Sequence, residues 1–252
     1  MVKKGEIRRK KILKLLDSKG TMSITDLSSQ FDVSRETIRR DLQELKSSGE
    51  IKKWYGTVMP KQDFRIPPVE KRMSERFELK SKIVQQALGL IEHSTVVFID
   101  AGSTALILAK EISKLNHYTI ITNSFPVINE LVTSDNQVIS IGGKVDPLTF
   151  SAVGTEALDF LDKIKIDVSF LGTSGFADHH GPTGNSFDDG DIKRKVIQNS
   201  RLNVVITDSS KSTYSSLTQY ADWHSIDYLI TDNGIDSNLV NSLNKVTEVL
   251  TV

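Results

Sequence analysis

Two sets of polar residues in this chain of 252 residues have types and spacings that could do chemistry. One is an arginine-rich segment near the N-terminus, at residues 34–43. The other is a succession of five short segments between residues 100 and 211 that combine Gly, Ser, Thr, Asn, Asp and Lys. Guanidinium and amide groups pair with the base edges of DNA, whereas glycine, hydroxyl and ammonium groups hold phosphates and sugar hydroxyls.

The arginine-rich segment predicts an amphipathic helix. Ile38, Leu42 and Leu45 recur at i, i+4 and i+7 and therefore form one apolar stripe, behind an N-cap serine. Because Arg can bind guanine and Gln adenine through paired hydrogen bonds, the opposite face suits the major groove of DNA. An ordinary amphipathic helix with a solvated polar face is the alternative. The residues expected to position the helix and contact bases are Ser34, Arg35, Thr37, Arg39, Arg40 and Gln43.

The neighbouring segments favour the DNA-binding interpretation. Helices are predicted over residues 6–16 and 25–31, and only a two-residue turn separates the second of them from the arginine-rich helix. Two helices joined by so short a turn are typical of a helix-turn-helix. Residues 51–59 then predict a basic hairpin, the wing of a winged helix, in which Lys52 and Lys53 would reach phosphates or the minor groove.

The formal net charge of zero conceals an uneven distribution. Residues 1–60 contain 14 Lys and Arg against 8 Asp and Glu, whereas the remaining residues contain 18 against 24. A basic segment joined to an acidic one predicts a polyanionic partner for the first only. The lack of cysteine excludes disulfides and thiolate metal sites, and neither a membrane span nor a secretory signal is visible. We therefore expect a cytoplasmic protein without membrane association and without a metal site.

Residues 76–252 predict a second domain of α/β class with a mostly parallel sheet. Pro60, just before this segment, and Pro67 and Pro68 within it indicate that residues 61–75 are a linker between the domains. Beyond the linker, short apolar or β-branched runs alternate with helical segments, which is typical of a parallel sheet covered by helices. The strands are predicted at 95–100, 118–123, 138–141, 168–171, 204–208, 228–232 and 246–252, and the helices near 104–115, 125–132, 154–162 and 188–200.

Polar residues follow five of these strands, and ligands of such sheets bind beyond the carboxyl ends of the strands. The polar segments are Asp100-Ala101-Gly102-Ser103-Thr104, Thr122-Asn123-Ser124, Gly142-Gly143-Lys144, Gly172-Thr173-Ser174-Gly175 and Asp208-Ser209-Ser210-Lys211. The first places glycine and hydroxyls at a helix N-terminus, which is the chemistry of a phosphate cradle. On the helix near 188–200, Asp189 and Lys193 are spaced to pair, either as a surface ion pair or as a pair that grips a ligand.

These motifs resemble those of DeoR-type bacterial transcription regulators. In the first domain the resemblance is carried by residues 27–34, Leu-Ser-Ser-Gln-Phe-Asp-Val-Ser, and 37–42, Thr-Ile-Arg-Arg-Asp-Leu. In the second it is carried by the polar strand ends, Gly154, and Asp189 with Lys193-Arg194. Two segments depart from the family: its His-Gly-Gly-Ala wing is Tyr55-Gly56-Thr57-Val58 here, and an aspartate stands at position 189 where the family commonly has glutamate.

The resemblance implies an effector-binding domain similar in fold to ribose-5-phosphate isomerase, with phosphorylated sugars as typical effectors. By that resemblance the phosphate ligands are Gly102, Ser103, Thr104 and Lys211, and the sugar ligands are Asp100, Asn123, Asp189 and Lys193. The same expected site includes Gly142, Gly143, Gly172 and Asp208. The strand end at 171–175 lacks the aspartate of the isomerases of this fold, and an isomerase needs a base and an oxyanion stabiliser. We therefore expect binding without catalysis.

Together these patterns predict a two-domain transcription regulator, a repressor of a carbohydrate-use operon that responds to a phosphorylated sugar. Its expected partners are double-stranded operator DNA, the sugar phosphate and further copies of itself in a dimer or tetramer; no cofactor is expected. One winged helix buries too little surface for operator specificity, which is why an oligomer is expected. The alternatives are an isomerase-like enzyme with an appended DNA-binding domain, and an activator or architectural protein whose second domain only assembles subunits.

Overall fold

The computed structural model describes residues 4–19, 22–48, 51–54, 57–60, 69–91, 95–177 and 180–252. Contacts between Cα atoms divide the chain into two units, Met1–Ile66 and Pro67–Val252. Among the described residues, no helix combines the length and the apolar character needed to cross a bilayer.

The N-terminal unit is a winged helix. Its elements are α1 (Lys4–Lys19), β1 (Met22–Ser23), α2 (Ile24–Phe31), α3 (Arg35–Ser47), β2 (Ile51–Trp54) and β3 (Thr57–Pro60). The three strands form an antiparallel sheet in the order β1-β3-β2. This arrangement confirms the predicted helix-turn-helix and hairpin, and it adds the short strand β1, whose two residues were too few to register as a strand pattern.

The apolar stripes of the three helices meet in one small core. Its buried members are Ile12, Leu27, Ile38, Leu42, Leu45 and Ile51. Capping fixes where the helices begin: Ser23 forms a capping box with Asp26 on α2, and Ser34 accepts a hydrogen bond from the Thr37 backbone N–H on α3. Asp32 adopts a left-handed φ of 48°, which turns the chain between α2 and α3 within two residues.

The C-terminal unit alternates helices with strands over most of its length. Its elements are α4 (Val69–Ser74), α5 (Phe77–Leu88), β4 (Val96–Ile99), α6 (Ser103–Ile112), β5 (Thr119–Thr122), α7 (Phe125–Leu131), β6 (Gln137–Ser140), β7 (Lys144–Asp146), β8 (Ser151–Val153), α8 (Thr155–Leu161), β9 (Ile166–Leu171), β10 (Thr183–Gly184), α9 (Phe187–Asn199), β11 (Ser200–Ile206), β12 (Thr218–Gln219), β13 (Tyr228–Thr231), α10 (Ser237–Leu243) and β14 (Glu248–Thr251). Two 3-10 turns lie at Ser209–Thr213 and Trp223–Ser225.

Seven strands form one parallel sheet in the order β14-β13-β11-β9-β4-β5-β6. This confirms all seven predicted strands and the α/β class. Alternate residues of the strands face two different cores. Val97 and Ile99 of β4 pack with α5 and α6 residues, whereas Phe98 packs with residues of α8 and α9, such as Ile192. The sheet is therefore buried on both faces, which explains its continuous apolar strands.

The structure adds elements that the sequence patterns did not indicate. Residues 69–74, placed in the linker by their sequence, form the helix α4, and Val69 is buried in the core beside α5 and α6. The antiparallel hairpin of β7 and β8 and the short pair of β10 and β12 lie outside the main sheet. These elements have two to six residues, which is too few for a hydrophobic period to be read.

Candidate functional site

The polar face of α3 is exposed to solvent. Arg35, Arg39, Arg40 and Gln43 are exposed, while Thr37 is half-buried at its edge. The apolar stripe of the same helix is buried in the core, and the polar face contributes none of the core residues that the structure describes in the N-terminal unit. A helix of this kind, second in a helix-turn-helix, presents its side chains to the major groove in DNA-binding domains.

The expected contacts on α3 are not equally available. The hydroxyls of Ser34 and Thr37 lie 2.9 Å apart and form a hydrogen bond at the helix N-terminus, so both help to begin the helix. Arg39 forms an exposed ion pair with Glu36 at 3.3 Å. An exposed pair is worth less than about 1 kcal/mol, so a phosphate or a base can compete for this guanidinium.

Asp41 of α3 is a charged residue that stabilises the fold, a role that sequence analysis did not predict. It is buried, and its carboxylate accepts hydrogen bonds from Arg8 and Arg9 of α1. Arg9 also pairs with Glu44 at 2.6 Å. These ion pairs join α1 to α3, so part of the basic charge in the first 60 residues serves the fold.

The wing is described only in part. Lys52 and Lys53 lie in β2, opposite Met59 and Val58 of β3, and their side chains are outside the described residues. Tyr55 and Gly56 of the altered family segment are also outside them. The contact of the wing with DNA therefore stays a prediction.

In the C-terminal unit, the strand order reverses beside β4. The chain proceeds from β4 to β5 and β6 on one side, and from β9 to β11, β13 and β14 on the other. Ligands of open α/β sheets bind at such a switch point, outside the carboxyl ends of the strands. Asp100 follows β4 at this point, and the backbone N–H of Gly172, which follows β9, donates to its Oδ2 at 2.9 Å.

A buried group of charges lies at this switch point. The ammonium of Lys193 on α9 contacts Asp100 Oδ2 at 3.1 Å and also donates to Asp189. All three side chains are at least nine-tenths buried. The surface alternative for the pair of Asp189 and Lys193 is therefore wrong, because α9 turns this face toward the strand ends rather than toward water.

The pKa values in this group follow from burial and mutual charge. Burial raises the pKa of Asp100, and the ammonium of Lys193 opposes that rise without cancelling it. Burial alone would lower the pKa of Lys193, but the carboxylates of Asp100 and Asp189 raise it above its usual value. Two carboxylates share one ammonium, so the group has one excess negative charge when both carboxylates are ionised.

Tyr220 belongs to the same group, although sequence analysis did not select it. Its hydroxyl donates to the carbonyl oxygen of Gly172 at 2.9 Å, and the ammonium of Lys193 lies 5.6 Å from the centre of its ring. Burial raises its pKa well above the usual value. Gly184 also matters here, because a Cβ at that position would lie 2.6 Å from Asp189 Oδ2. No local pattern marks either residue, since both approach the site only through tertiary folding.

Asn123 follows β5 and lies beside Asp100 in the sheet. The last residues of the two strands, Thr122 and Ile99, are paired in register, so the residues after them project to the same face. Asn123 is fully buried, yet neither its Oδ1 nor its Nδ2 has a hydrogen-bond partner within the described part of the chain. Oδ1 of Asp100 is also buried without a hydrogen-bond partner among the described residues.

The predicted phosphate cradle begins α6. Gly102 precedes the helix, and Ser103 and Thr104 occupy its first two positions, both buried. No described atom lies within 4 Å of where a Cβ would stand on Gly102, so the backbone there borders open space. The helix N-terminus offers backbone N–H groups toward that space, as an anion requires.

The two glycines after β6 have different positions. Both have left-handed φ values, 68° at Gly142 and 109° at Gly143. Gly142 borders open space, whereas a Cβ on Gly143 would lie 2.6 Å from the carbonyl oxygen of Val153. Gly143 therefore allows the hairpin of β7 and β8 to close, and Gly142 is the one with room for a ligand.

A second charged cluster lies after β11. Asp208 accepts hydrogen bonds from Arg76 at 3.2 Å and from the backbone of Ser210 at 3.2 Å, and Lys211 contacts the hydroxyl of Tyr214. Burial lowers the pKa of Lys80; the charge of Asp208 opposes this, and that of Lys211 adds to it. Arg76 and Lys80 are thus cations of this strand end that sequence analysis did not assign.

No group of three or more His, Asp or Glu side chains suited to a metal ion occurs among the residues that the structure describes. The charged residues among the expected site residues form the two clusters above: the buried group of Asp100, Asp189 and Lys193, and the group in which Asp208 is buried and Lys211 is half-buried.

Comparison with protein families gives two matches that together span most of the chain. A model described as a DeoR-like helix-turn-helix domain matches residues 8–62, and one described as the DeoR C terminal sensor domain matches residues 75–233. The boundary between the matches agrees with the division of the structure into two units.

Curated relatives match along nearly their whole length. The HTH-type transcriptional regulator GolR of Listeria innocua is 32% identical over 234 residues, which cover 92% of each chain. The HTH-type transcriptional regulator IolR of Bacillus subtilis is 31% identical over 229 residues, covering 90% of this chain and 91% of its own. Among solved structures, ribose 5-phosphate isomerase A of Methanocaldococcus jannaschii is similar over 54% of this chain and 55% of its own, with 18% identity and a TM-score of 0.41.

Proposed function

The chain belongs to the DeoR family of transcriptional regulators, and on that premise we propose that it represses a carbohydrate-use operon and that a phosphorylated sugar releases it from its operator. It is a DNA-binding regulator rather than an enzyme. Because its target is operator DNA, we also assign it to the cytoplasm.

The exposed face of α3 supports the assignment of the DNA contacts. Arg35, Arg40 and Gln43 are exposed while the opposite stripe of the helix is fully buried, so these side chains are available to a groove. The excess of Lys and Arg in residues 1–60 supplies salt-dependent attraction to phosphates. One winged helix contacts few base pairs, so we propose that a dimer or tetramer reads repeated or palindromic half-sites.

The observation that supports the effector proposal is that two clusters, one with cations and one with carboxylates and an amide, lie at the carboxyl edge of the sheet. Lys211 and Arg76 supply cations of the kind that a phosphate requires, and the N-terminus of α6 offers backbone donors. The nearby ammonium of Lys80 is buried and donates to the carbonyl oxygens of Arg72 and Glu75. The cluster around Asp100 has carboxylates and an amide that suit hydroxyl groups. A ligand with a phosphate at one end and hydroxyls at the other matches both.

Effector binding would act by favouring one arrangement of the oligomer over another. A sugar phosphate that binds more tightly to the arrangement that fits the operator poorly shifts the population away from DNA. A coupling of about 1–3 kcal/mol between the two sites is typical of such regulators.

The DNA contact is tested by replacing Arg40 with alanine in the full chain. We expect operator affinity to fall by about 1–3 kcal/mol per subunit, with the thermal midpoint and effector binding unchanged. Lys82→Ala removes the same charge from an exposed position in the other unit and serves as the control. Loss of effector binding together with operator binding would show that Arg40 is structural.

The effector site is tested by thermal unfolding of the full chain with a panel of sugar phosphates and their unphosphorylated parents. A ligand at about 100 times its Kd adds about 2.7 kcal/mol of stability, which is readily measured. We expect one phosphorylated sugar to raise the midpoint and its parent to have little effect. Failure of every sugar phosphate to raise the thermal midpoint would refute the proposed effector class. Expression of a reporter operon distinguishes repression from activation.

Lys211→Ala tests the phosphate end of the same site. We expect the variant to bind the operator normally and to lose its response to the effector. Lys245→Ala, an exposed lysine near the C-terminus, is the matched control. Full response in Lys211→Ala would remove this lysine from the site.

A further inference from the structure

Exposed apolar side chains are concentrated in the segments that follow the carboxyl ends of the strands. Among the described residues, eleven large apolar side chains are exposed, and six of them lie in the segments after β5, β6, β9 and β11. We call these six residues the apolar rim: Phe125, Val145, Leu148, Phe150, Phe187 and Leu217.

The segments that carry the apolar rim are joined to one another. The backbone N–H of Phe125 donates to the carbonyl oxygen of Phe150 at 3.0 Å, which joins the start of α7 to the hairpin of β7 and β8. Lys144 of the same hairpin pairs with Asp188 at the start of α9, at 2.8 Å. The pairing of β10 with β12 then brings the segment of Leu217 beside the start of α9. The rim is therefore one surface patch rather than six scattered side chains.

Phe150 has a conformation that is unusual for a bulky residue. Its φ of 51° lies in the left-handed region, which glycine and asparagine adopt more readily, and its side chain is 57% exposed. An exposed ring adds little to the stability of the monomer, so nothing within the monomer offsets the cost of this backbone conformation. A contact that forms only in a larger assembly accounts for it.

The size of the apolar rim is that of an interaction surface. The exposed fractions of its residues range from 37% to 64%, which corresponds to on the order of 600 Å² of exposed surface. The largest apolar patch of a typical monomer is about 300–600 Å², and a standard interface buries about 800 Å² on each partner. The rim thus supplies most of the area that one side of a stable dimer needs.

The charge of the apolar rim favours a second copy of the chain as the partner. Lys144 and Asp188 neutralise each other, and Asp146 accepts a hydrogen bond from the backbone of Leu148 at 2.8 Å. In a two-fold interface each surface meets its own copy, so a strongly charged patch would repel itself, whereas a nearly neutral apolar patch does not. Two-fold pairing also supplies the two winged helices that palindromic half-sites require.

We infer that two copies of this chain pair through the apolar rim, with Phe150 and Phe187 as the anchors of the interface. The pairing itself does not depend on the identity of the effector. One consequence rests on the proposed function: the open space at Gly102 and Gly142 lies at the same edge of the sheet, so an effector bound there is close to the second copy and alters the pairing.

The first test combines Phe150→Asn with Phe187→Ser in the full chain. Both side chains are exposed, and asparagine tolerates a left-handed φ, so far-ultraviolet circular dichroism should show an unchanged fold. We expect the assembly to dissociate to half its mass, with a dissociation constant at least about 100-fold higher, because each loss counts twice in a two-fold interface. Sedimentation velocity over a dilution series measures this change.

Val132→Ser is the matched control for the first test. Val132 is 64% exposed, as is Phe187, but it lies at the C-terminal end of α7 and outside the rim. We expect this variant to pair as tightly as the wild type. Unchanged pairing in the double variant, or a wild-type chain that is monomeric at micromolar concentrations, would overturn the inference.

The second test identifies the partner directly. The chain has no cysteine, so a single introduced thiol can be crosslinked only to another copy. Val145→Cys, Leu148→Cys and Leu217→Cys are each treated with a short bis-maleimide, and a dimer on a denaturing gel is expected from at least one of them, since residues near a two-fold axis meet their own copies. A dimer from Val132→Cys, or none from the three rim positions, would contradict pairing through the rim.

The third test addresses the consequence for the effector. A sugar phosphate that raises the thermal midpoint of the wild type is added during sedimentation, and we expect it to change the dissociation constant of the pair at least about fivefold. By linkage, the double variant should bind that compound with an affinity changed by a similar factor. A bound compound that leaves pairing unchanged would refute this coupling. Failure of every sugar phosphate to bind would instead refute the proposed effector class, and the first two tests decide the interface in either case.

Discussion

The two candidate surfaces of this molecule use charged side chains in opposite ways. On α3, the arginines and the glutamine face solvent, and the core behind them is complete without them. At the switch point of the sheet, Asp100, Asp189 and Lys193 are buried and hold one another, so the site and the fold share the same residues. The comparison teaches that exposure decides how far function and stability can be separated by mutation.

The largest effect is expected from Lys193→Met. The substitution leaves Asp100 and Asp189 buried without their ammonium, and breaking a buried pair in this way costs about 3–5 kcal/mol. Denaturant unfolding of the full chain measures the loss. Lys195→Met, two residues along α9, removes a lysine whose partner Asp162 is more than half exposed, and should cost less than about 1 kcal/mol. Equal losses in the two variants would contradict the comparison.

Asp41→Ala is the prediction most able to break the comparison, because Asp41 lies on α3 itself. It is buried against Arg8 and Arg9, so its loss should cost about 1.5–3 kcal/mol in the N-terminal unit. Operator binding would then fall because the unit unfolds, and lower temperature should restore it. Failure of cooling to restore binding, at an unchanged midpoint, would place Asp41 in the DNA contact instead.

Asp232→Asn should have a smaller effect that depends on pH. Burial would raise the pKa of Asp232, but hydrogen bonds from the backbone and hydroxyl of Ser209 and from Gly234 lower it overall. A carboxyl whose pKa is lower in the folded state stabilises the fold above its unfolded pKa of about 3.9, and that contribution is lost as pH falls. We expect a loss of about 1 kcal/mol at pH 7 that shrinks toward pH 3. A difference that is independent of pH would rule out this ionisation as the cause.

The smallest effect on stability is expected from Gln43→Ala. The side chain is exposed on α3, so the free energy of unfolding should change by less than about 0.5 kcal/mol. Operator affinity should nevertheless fall and discrimination at one base pair should weaken, as measured with single-base operator variants. A stability loss comparable to that of Asp41→Ala would show that the polar face of α3 is not independent of the fold.

The sequence-based prediction succeeded where short-range patterns determine structure. The stripe of Ile38, Leu42 and Leu45 correctly predicted the buried side of α3. Ser34 was correctly predicted to be the N-cap, and the helix begins at the next residue. The apolar runs of the seven strands and the α/β class were likewise confirmed. Each of these signals lies within about ten residues of sequence, where periodicity and capping act directly.

The prediction was incomplete where residues meet across the fold. Asp100 and Asp189 are 89 positions apart, so no local pattern showed that they share Lys193. Tyr220 and Arg76 reach the site from segments that had no motif. The unpaired state of Asn123 was equally invisible, because it depends on which neighbours the fold supplies. The residue types at the strand ends predicted a polar site there, but the structure was needed to show which of these residues contact one another.

The separation between the two faces of α3 has an evolutionary consequence. The buried stripe and the serine N-cap maintain the helix, while the exposed arginines and glutamine contribute little to its stability. After a gene duplication, one copy can therefore change its exposed residues and acquire a new operator without first acquiring a compensating stabilising mutation. A change of effector is more constrained, because the residues of the buried charge cluster also stabilise the fold, and a mutation there changes stability as well as ligand binding. Divergence in operator sequence should consequently precede divergence in ligand among the descendants of such a chain.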